Sequence, residues 1–100
     1  YMAELTDTEE LTKGQARLLP IQPNPFQDQA MIQFYIPEAS NIHLQVQDVS
    51  GKVVKTITGN YAAGSHQMRL MSEDLNGPGM YYVVLQAQDA TMTRKLIFQP

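Results

Sequence analysis

Between residues 29 and 36 every second residue is strongly apolar: Ala30, Ile32, Phe34 and Ile36 alternate with Gln29, Met31, Gln33 and Tyr35. A period of two sends successive side chains to opposite faces, so this stretch reads as a strand that buries one face, and Pro37 stops it. The alternation returns over 42–48, where Ile42, Leu44 and Val46 stand against His43, Gln45 and Gln47. Asp48-Val49-Ser50-Gly51 follows, with Asp and Ser able to bond nearby backbone and Gly free to take positive φ. That is hairpin chemistry, and it leads into a strand over 52–58 that pairs with its predecessor. Gly59-Asn60 and Gly64 read as turn-like, and a strand over 65–71 then sets Met68 and Leu70 against Gln67 and Arg69. Asn76-Gly77-Pro78-Gly79 is the densest turn signal in the chain and separates this strand from 80–88, rich in Tyr and Val. Asp89-Ala90 allows a tight reversal into a last strand over 92–98, and 18–22 supplies the first. The pattern predicts an all-β fold, an immunoglobulin-like antiparallel β-sandwich of about seven strands without a convincing helix.

The first residues depart from this pattern. Residues 1–16 hold Glu4, Asp7, Glu9 and Glu10, four of the ten acids, with little aliphatic content and no periodicity. They read as a linker, with a short helical turn conceivable over 8–13, and the folded domain is placed at 17–100. A chain of 100 residues suffices for one hydrophobic core and not for two. No apolar run approaches the roughly 18 residues that span a bilayer, so the chain reads as soluble. It begins at Tyr1 with no signal-peptide pattern, from which it is expected to be a piece of a longer parent whose export signal lies upstream.

Charge and residue types then narrow the function. A net charge of −3, with Lys52, Lys55, Arg69, Arg94 and Lys95 scattered, offers no field for phosphate backbones, so nucleic acid is not expected as a partner. The absence of cysteine removes disulfides, thiolate catalysis and thiolate zinc sites. His43 and His66 are the only imidazoles, each in a predicted strand without ligands at metal spacing, and both read as surface histidines. Ser65 adjoins His66, but strand neighbours point to opposite faces and no nucleophile elbow surrounds the pair. Glu73-Asp74 lacks the calcium-loop register and reads as solvated loop. Tyr81 and Tyr82 cannot share a face, so one belongs to the core and at most one to a sugar-stacking surface. No catalytic residue, metal site, cofactor or small-molecule substrate is expected, and the chain reads as non-enzymatic.

Three segments, in this order, resemble the type A C-terminal sorting domain of the type IX secretion system of Bacteroidetes secreted proteins. The first is Pro23-Asn24-Pro25-Phe26, which precedes the alternating strand that ends at Pro37-Glu38. The second is the hairpin around Asp48, Gly51 and Lys52. The third is Gly79-Met80-Tyr81-Tyr82 and the aliphatic strand after it, followed by Thr93-Arg94-Lys95-Leu96-Ile97. Where many relatives carry a Trp-Asp pair, this chain has Arg69-Leu70-Met71-Ser72. The resemblance implies a secretion signal that directs its parent across the outer membrane, and removal of the domain on export. The implied partners are an outer-membrane translocon shuttle and a sortase-like peptidase, with a cargo domain N-terminal to this one and the parent secreted or held at the cell surface. A spacer or carbohydrate-binding module of immunoglobulin or fibronectin type remains the alternative.

Pro23 and Pro25 are expected to stiffen a corner and Phe26 to plug the end of the core, with Gly51 and Gly79 supplying backbone freedom at turns. Lys95 carries two readings. It could offer a cation and a strand edge to a receptor, or it could guard an edge against aggregation.

Overall fold

A computed structural model describes residues 15–88 and 90–100. The helical turn expected over 8–13 and all but the last two residues of the expected linker lie outside the described residues. Seven strands and one 3-10 turn follow in order: β1 Arg17–Leu18, β2 Gln29–Ile36, β3 Ser40–Asp48, β4 Val53–Tyr61, β5 Gly64–Met71, the turn Ser72–Asp74, β6 Gly79–Ala87 and β7 Ala90–Phe98. They form an antiparallel three-stranded sheet in the order β1-β2-β5 and an antiparallel four-stranded sheet in the order β4-β3-β6-β7. This is an immunoglobulin-like sandwich in which β4 has joined the sheet of β3, β6 and β7.

The period-two expectation is met strand by strand. Ile32, Phe34 and Ile36 of β2, Leu44 and Val46 of β3, Val83 and Leu85 of β6 and Leu96 of β7 are at 0% exposure. Burying each such side chain contributes roughly 1.5–3 kcal/mol, so the inward rows of the two sheets dominate the stability of the fold. The Asp48 hairpin pairs β3 with β4, as expected.

Three local expectations are corrected. The first strand is only Arg17–Leu18, and Gln22 rejoins the sheet by one isolated bridge to Met31. Pro20, which has no N–H to donate, interrupts the ladder between them. Strand β4 continues through Gly59-Asn60 to Tyr61, because Asn60 and Tyr61 keep pairing with Asn41 and Ser40 while the Tyr61 ring packs edge-on against Phe34, 5.5 Å between centroids. The reversal between β6 and β7 sets Ala87 opposite Ala90, with Gln88 at φ +56°. Asp89, half of the reversal expected there, lies outside the described residues.

Two surface assignments change as well. His66 is half-buried, its ring 5.4 Å from Phe34 and 5.1 Å from Tyr61, with Nε2 at 2.7 Å from the Ala62 carbonyl. It sits there because its strand position points to the same side as Met68 and Leu70. Asp74 is not simply solvated: its carboxylate accepts the Met71 N–H at 3.0 Å and meets Lys55 Nζ at 3.3 Å, which ties the turn after β5 to edge strand β4 of the other sheet.

Candidate recognition surface

The Pro23-Asn24-Pro25-Phe26 corner lies against the outer edge of β7. Strand β7 is the last of its sheet, so its outward backbone groups have no ladder partner. A carboxamide presents a donor and an acceptor side by side, as a peptide group does, and Asn24 uses both here. Its Nδ2 donates to the Lys95 carbonyl at 2.9 Å, and its Oδ1 accepts the Ile97 N–H at 2.9 Å. Backbone continues the pairing: Phe26 N–H donates to the Ile97 carbonyl and Gln99 N–H to the Phe26 carbonyl, both at 2.9 Å. Pro23 and Pro25 bring no N–H that would need a partner. Phe26 then turns inward, 1% exposed, its ring 5.1 Å from Phe98. The plug expected of Phe26 is in place. The strand edge expected of Lys95 as an offering to a receptor is occupied by Asn24, so only the Lys95 side chain remains outward and exposed.

The second motif is a closed turn. Asp48 Oδ1 accepts the Ser50 N–H at 2.9 Å, the Ser50 hydroxyl at 2.6 Å and the Lys52 N–H at 3.0 Å. The Gly51 N–H donates to the Asp48 carbonyl at 3.0 Å, with Gly51 at φ +91°, where a side chain would be strained. The Ser50 hydroxyl, with the Lys52 and Ser50 N–H groups and the Lys52 charge behind it, holds the Asp48 carboxyl below its ordinary value. A depressed carboxyl stabilises the fold above its ordinary pKa of about 3.9 and loses that contribution as pH falls through its lower folded value. Thermal midpoints followed from about pH 7 to pH 2 are therefore expected to fall more steeply below about pH 4 for the natural chain than for Asp48→Ala. Parallel curves would refute the role given to this turn.

The third motif is a tyrosine corner. Tyr81, 3% exposed at the start of β6, donates its hydroxyl proton to the Gly77 carbonyl at 2.6 Å and accepts the Asn76 N–H at 3.0 Å. This ties the loop before β6 onto the strand, the device found at the matching corner of immunoglobulin-like sandwiches. Gly79, at φ +141°, lets the chain enter β6. Tyr81 is thus a core residue, and Tyr82 is the one of the pair that faces out.

The three motifs, far apart in the chain, meet at one end of the four-stranded sheet. Asp48 pairs with Tyr81, Tyr81 with Leu96 beside Lys95, Gly79 with Phe98, and Phe98 bridges to Phe26. Sequence reasoning missed the partners that complete these contacts: Phe98 beneath Phe26, Ser50 on Asp48, and the Asn76 and Gly77 backbone on Tyr81. The Phe98 position carried a signal, since it shares the inward phase of Leu96. Among the described residues no group of three His, Asp or Glu side chains is placed to hold a metal.

The family model described as the secretion system C-terminal sorting domain matches residues 20–99. No curated protein matches the chain. Among solved structures, the sensor domain of the anti-sigma factor RsgI4 of Pseudobacteroides cellulosolvens is similar at a TM-score of 0.58 and 13% identity, over 84% of this chain and 92% of that one. A dimeric latent PorU of Porphyromonas gingivalis is similar at a TM-score of 0.56 and 14% identity, over 85% of this chain but only 9% of that one. At such identities the likeness is one of fold. The match over 20–99 is different in kind, because it spans all three motifs whose residues converge here. The chain belongs to the secretion system C-terminal sorting domain family, the non-catalytic sorting signals of type IX secretion cargo bound for the cell surface or beyond.

Proposed function

We propose that this domain folds after its parent has crossed the inner membrane, and that the end of the sandwich where Asn24, Asp48, Tyr81 and Lys95 come together is then read by an outer-membrane shuttle of the type IX translocon. The observation that supports this reading is the convergence itself. Asn24 and Lys95 lie 71 residues apart in sequence and share a hydrogen bond. A receptor can recognise such a composite only on the folded domain, which suits a signal tested after translocation to the periplasm. Of the motif residues, Asn24, Phe26, Asp48, Gly51, Gly79 and Tyr81 build this end, and the side chains of Lys52 and Lys95 are left exposed on it.

Removal by a sortase-like peptidase belongs to the same proposal. A protease needs extended chain, and the sandwich offers little from Ala16 onward, where the chain is already buried. Cleavage is therefore assigned to residues 1–16, with the cargo N-terminal to them and the parent released or retained at the surface.

The test is a periplasm-targeted fluorescent reporter fused to the whole chain, in a type IX-competent host and in its translocon-deficient twin. Accumulation on the surface and in the medium of the first, with periplasmic retention in the second, is the expected result. Retention in both hosts with the domain folded would overturn the function. Mass spectrometry of the exported reporter is expected to find its new C-terminus within residues 1–16, and an end beyond Leu18 would overturn that placement.

A further inference from the structure

The exposed apolar side chains are not scattered. The large hydrophobic residues most open to solvent among those described are Val49 at 69%, Val53 at 40%, Met80 at 37% and Tyr82 at 36%. Cross-strand register gathers them at one end of the outer face of the four-stranded sheet. Val53 stands opposite Gln47, Gln47 opposite Tyr82, and Tyr82 opposite Lys95; Met80, one step further along, stands opposite Ile97. Val49 projects from the turn that continues β3 past Asp48. Directly opposed residues on one face hold their Cβ atoms about 5 Å apart, so Met80, Tyr82 and Ile97 adjoin one another, and Gln47 alone stands between Tyr82 and Val53. Exposed hydrophobic residues scattered singly are ordinary, whereas their gathering at one end of one sheet face points to a contact surface.

The charge on this face is equally uneven. The chain as a whole is acidic, yet the outward positions of β3, β4, β6 and β7 carry Asn, Gln, Thr, His and apolar residues, with Lys95 the one charged side chain among them. The described acids lie elsewhere: Asp28, Glu38, Glu73 and Asp74 in connections, and Asp48 with its carboxylate turned back into its own hairpin. Lys55, by contrast, is spent on Asp74. The outward edge of β7 from Lys95 to Gln99 is closed by Asn24 and Phe26, so contact at this end has to be made through side chains rather than by adding a strand.

We propose that Val49, Val53, Met80, Tyr82 and Ile97, with Lys95 at their rim, form the docking surface for a folded protein partner that presents an apolar patch and a carboxylate opposite Lys95. This rests on the export function above and names the surface through which it acts. The partner's carboxylate follows from charge complementarity: Lys95, with the exposed Lys52 in the neighbouring turn and no acid among the outward strand positions, attracts a carboxylate and repels a basic surface. Tyr82 belongs to the residue types that most often anchor a protein contact.

The test uses the reporter fused to the whole chain in the type IX-competent host. Met80→Gln combined with Tyr82→Gln, and Lys95→Glu by itself, are each expected to reduce export by about tenfold, as loss of an anchor residue does at other interfaces. Thr58→Ala with Thr91→Ala, at the far end of the same face, is expected to leave export unchanged. Thermal midpoints of the purified domains establish that each variant is folded, and if the double variant is not, Lys95→Glu carries the comparison. A benzophenone side chain in place of Tyr82 is expected to form a photo-adduct with an outer-membrane protein, and the adduct should vanish when Lys95→Glu is added. Folded variants exported at the natural rate, or an adduct formed only with lipopolysaccharide, would overturn the docking surface while leaving the sorting function intact. Failure of the unaltered fusion to be exported would overturn both.

Discussion

Phe26→Ala is expected to lower the unfolding free energy by about 3–5 kcal/mol, the cost of emptying a well-packed aromatic site. Phe26 is 1% exposed and leans on Phe98, so its removal opens a cavity at the end of the core. The loss would not stop at packing. The Phe26 backbone accepts from Gln99 and donates to Ile97, so loosening the ring also weakens the pairing of the corner with β7. A single domain commonly has about 5–15 kcal/mol in total, so the variant should be close to unfolding at physiological temperature. Urea unfolding followed by tyrosine fluorescence or circular dichroism reads this directly. A destabilisation under about 1 kcal/mol would mean that the ring is not the plug described above. Because the proposed receptor reads a folded surface, export of a Phe26→Ala fusion should fall together with its stability, and should recover when growth temperature is lowered.

Asn24→Ala is expected to cost about 2 kcal/mol, from two hydrogen bonds each worth roughly 1 kcal/mol. The cost is smaller than for Phe26 because water can satisfy the Lys95 carbonyl and the Ile97 N–H once the carboxamide is gone. Its signature is local. Hydrogen exchange at the Ile97 amide, which donates to Asn24 Oδ1, should accelerate. The Leu96 amide, in the β6-facing register opposite Tyr81, should stay slow. Equal acceleration at both positions would point to general loosening of β7 rather than the loss of an edge cover. The variant should also associate at high concentration, since an uncovered edge strand is a template for another strand. Asn24 thus takes over the guarding role that the sequence suggested for Lys95, and the lysine side chain stays exposed.

Much of this molecule can be read along the chain. The inward rows of β2 and β3 were legible from strict alternation, and the Asp48 hairpin from the residues that bond their own backbone. Tyr81 and Tyr82 were separable into an inside and an outside residue by parity, although parity does not say which is which. The three motifs, by their order, pointed to the sorting family, and the family match over residues 20–99 covers all three. The errors have a common physical origin. Gly59 and Asn60 look like a turn locally, but pairing with β3 and the seat of Tyr61 on Phe34 outweigh a weak local preference. His66 was read as a surface residue because an isolated imidazole in a polar strand gives no hint of the aromatic rings that flank it.

The amino-acid pattern alone carried the long strands, the inward faces of β2 and β3, the Asp48 turn and the family, because alternation and turn preference act over a few neighbouring residues. It took the packing of the whole chain to set Asn24 on the edge at Lys95, Phe98 under Phe26, the Tyr81 hydroxyl on Gly77, and Val53, Met80 and Tyr82 on one exposed face. Each of these depends on which strands become neighbours and in what register. Strand order and register are set by how the whole set of apolar faces packs into one core, and no local stretch of chain carries that information.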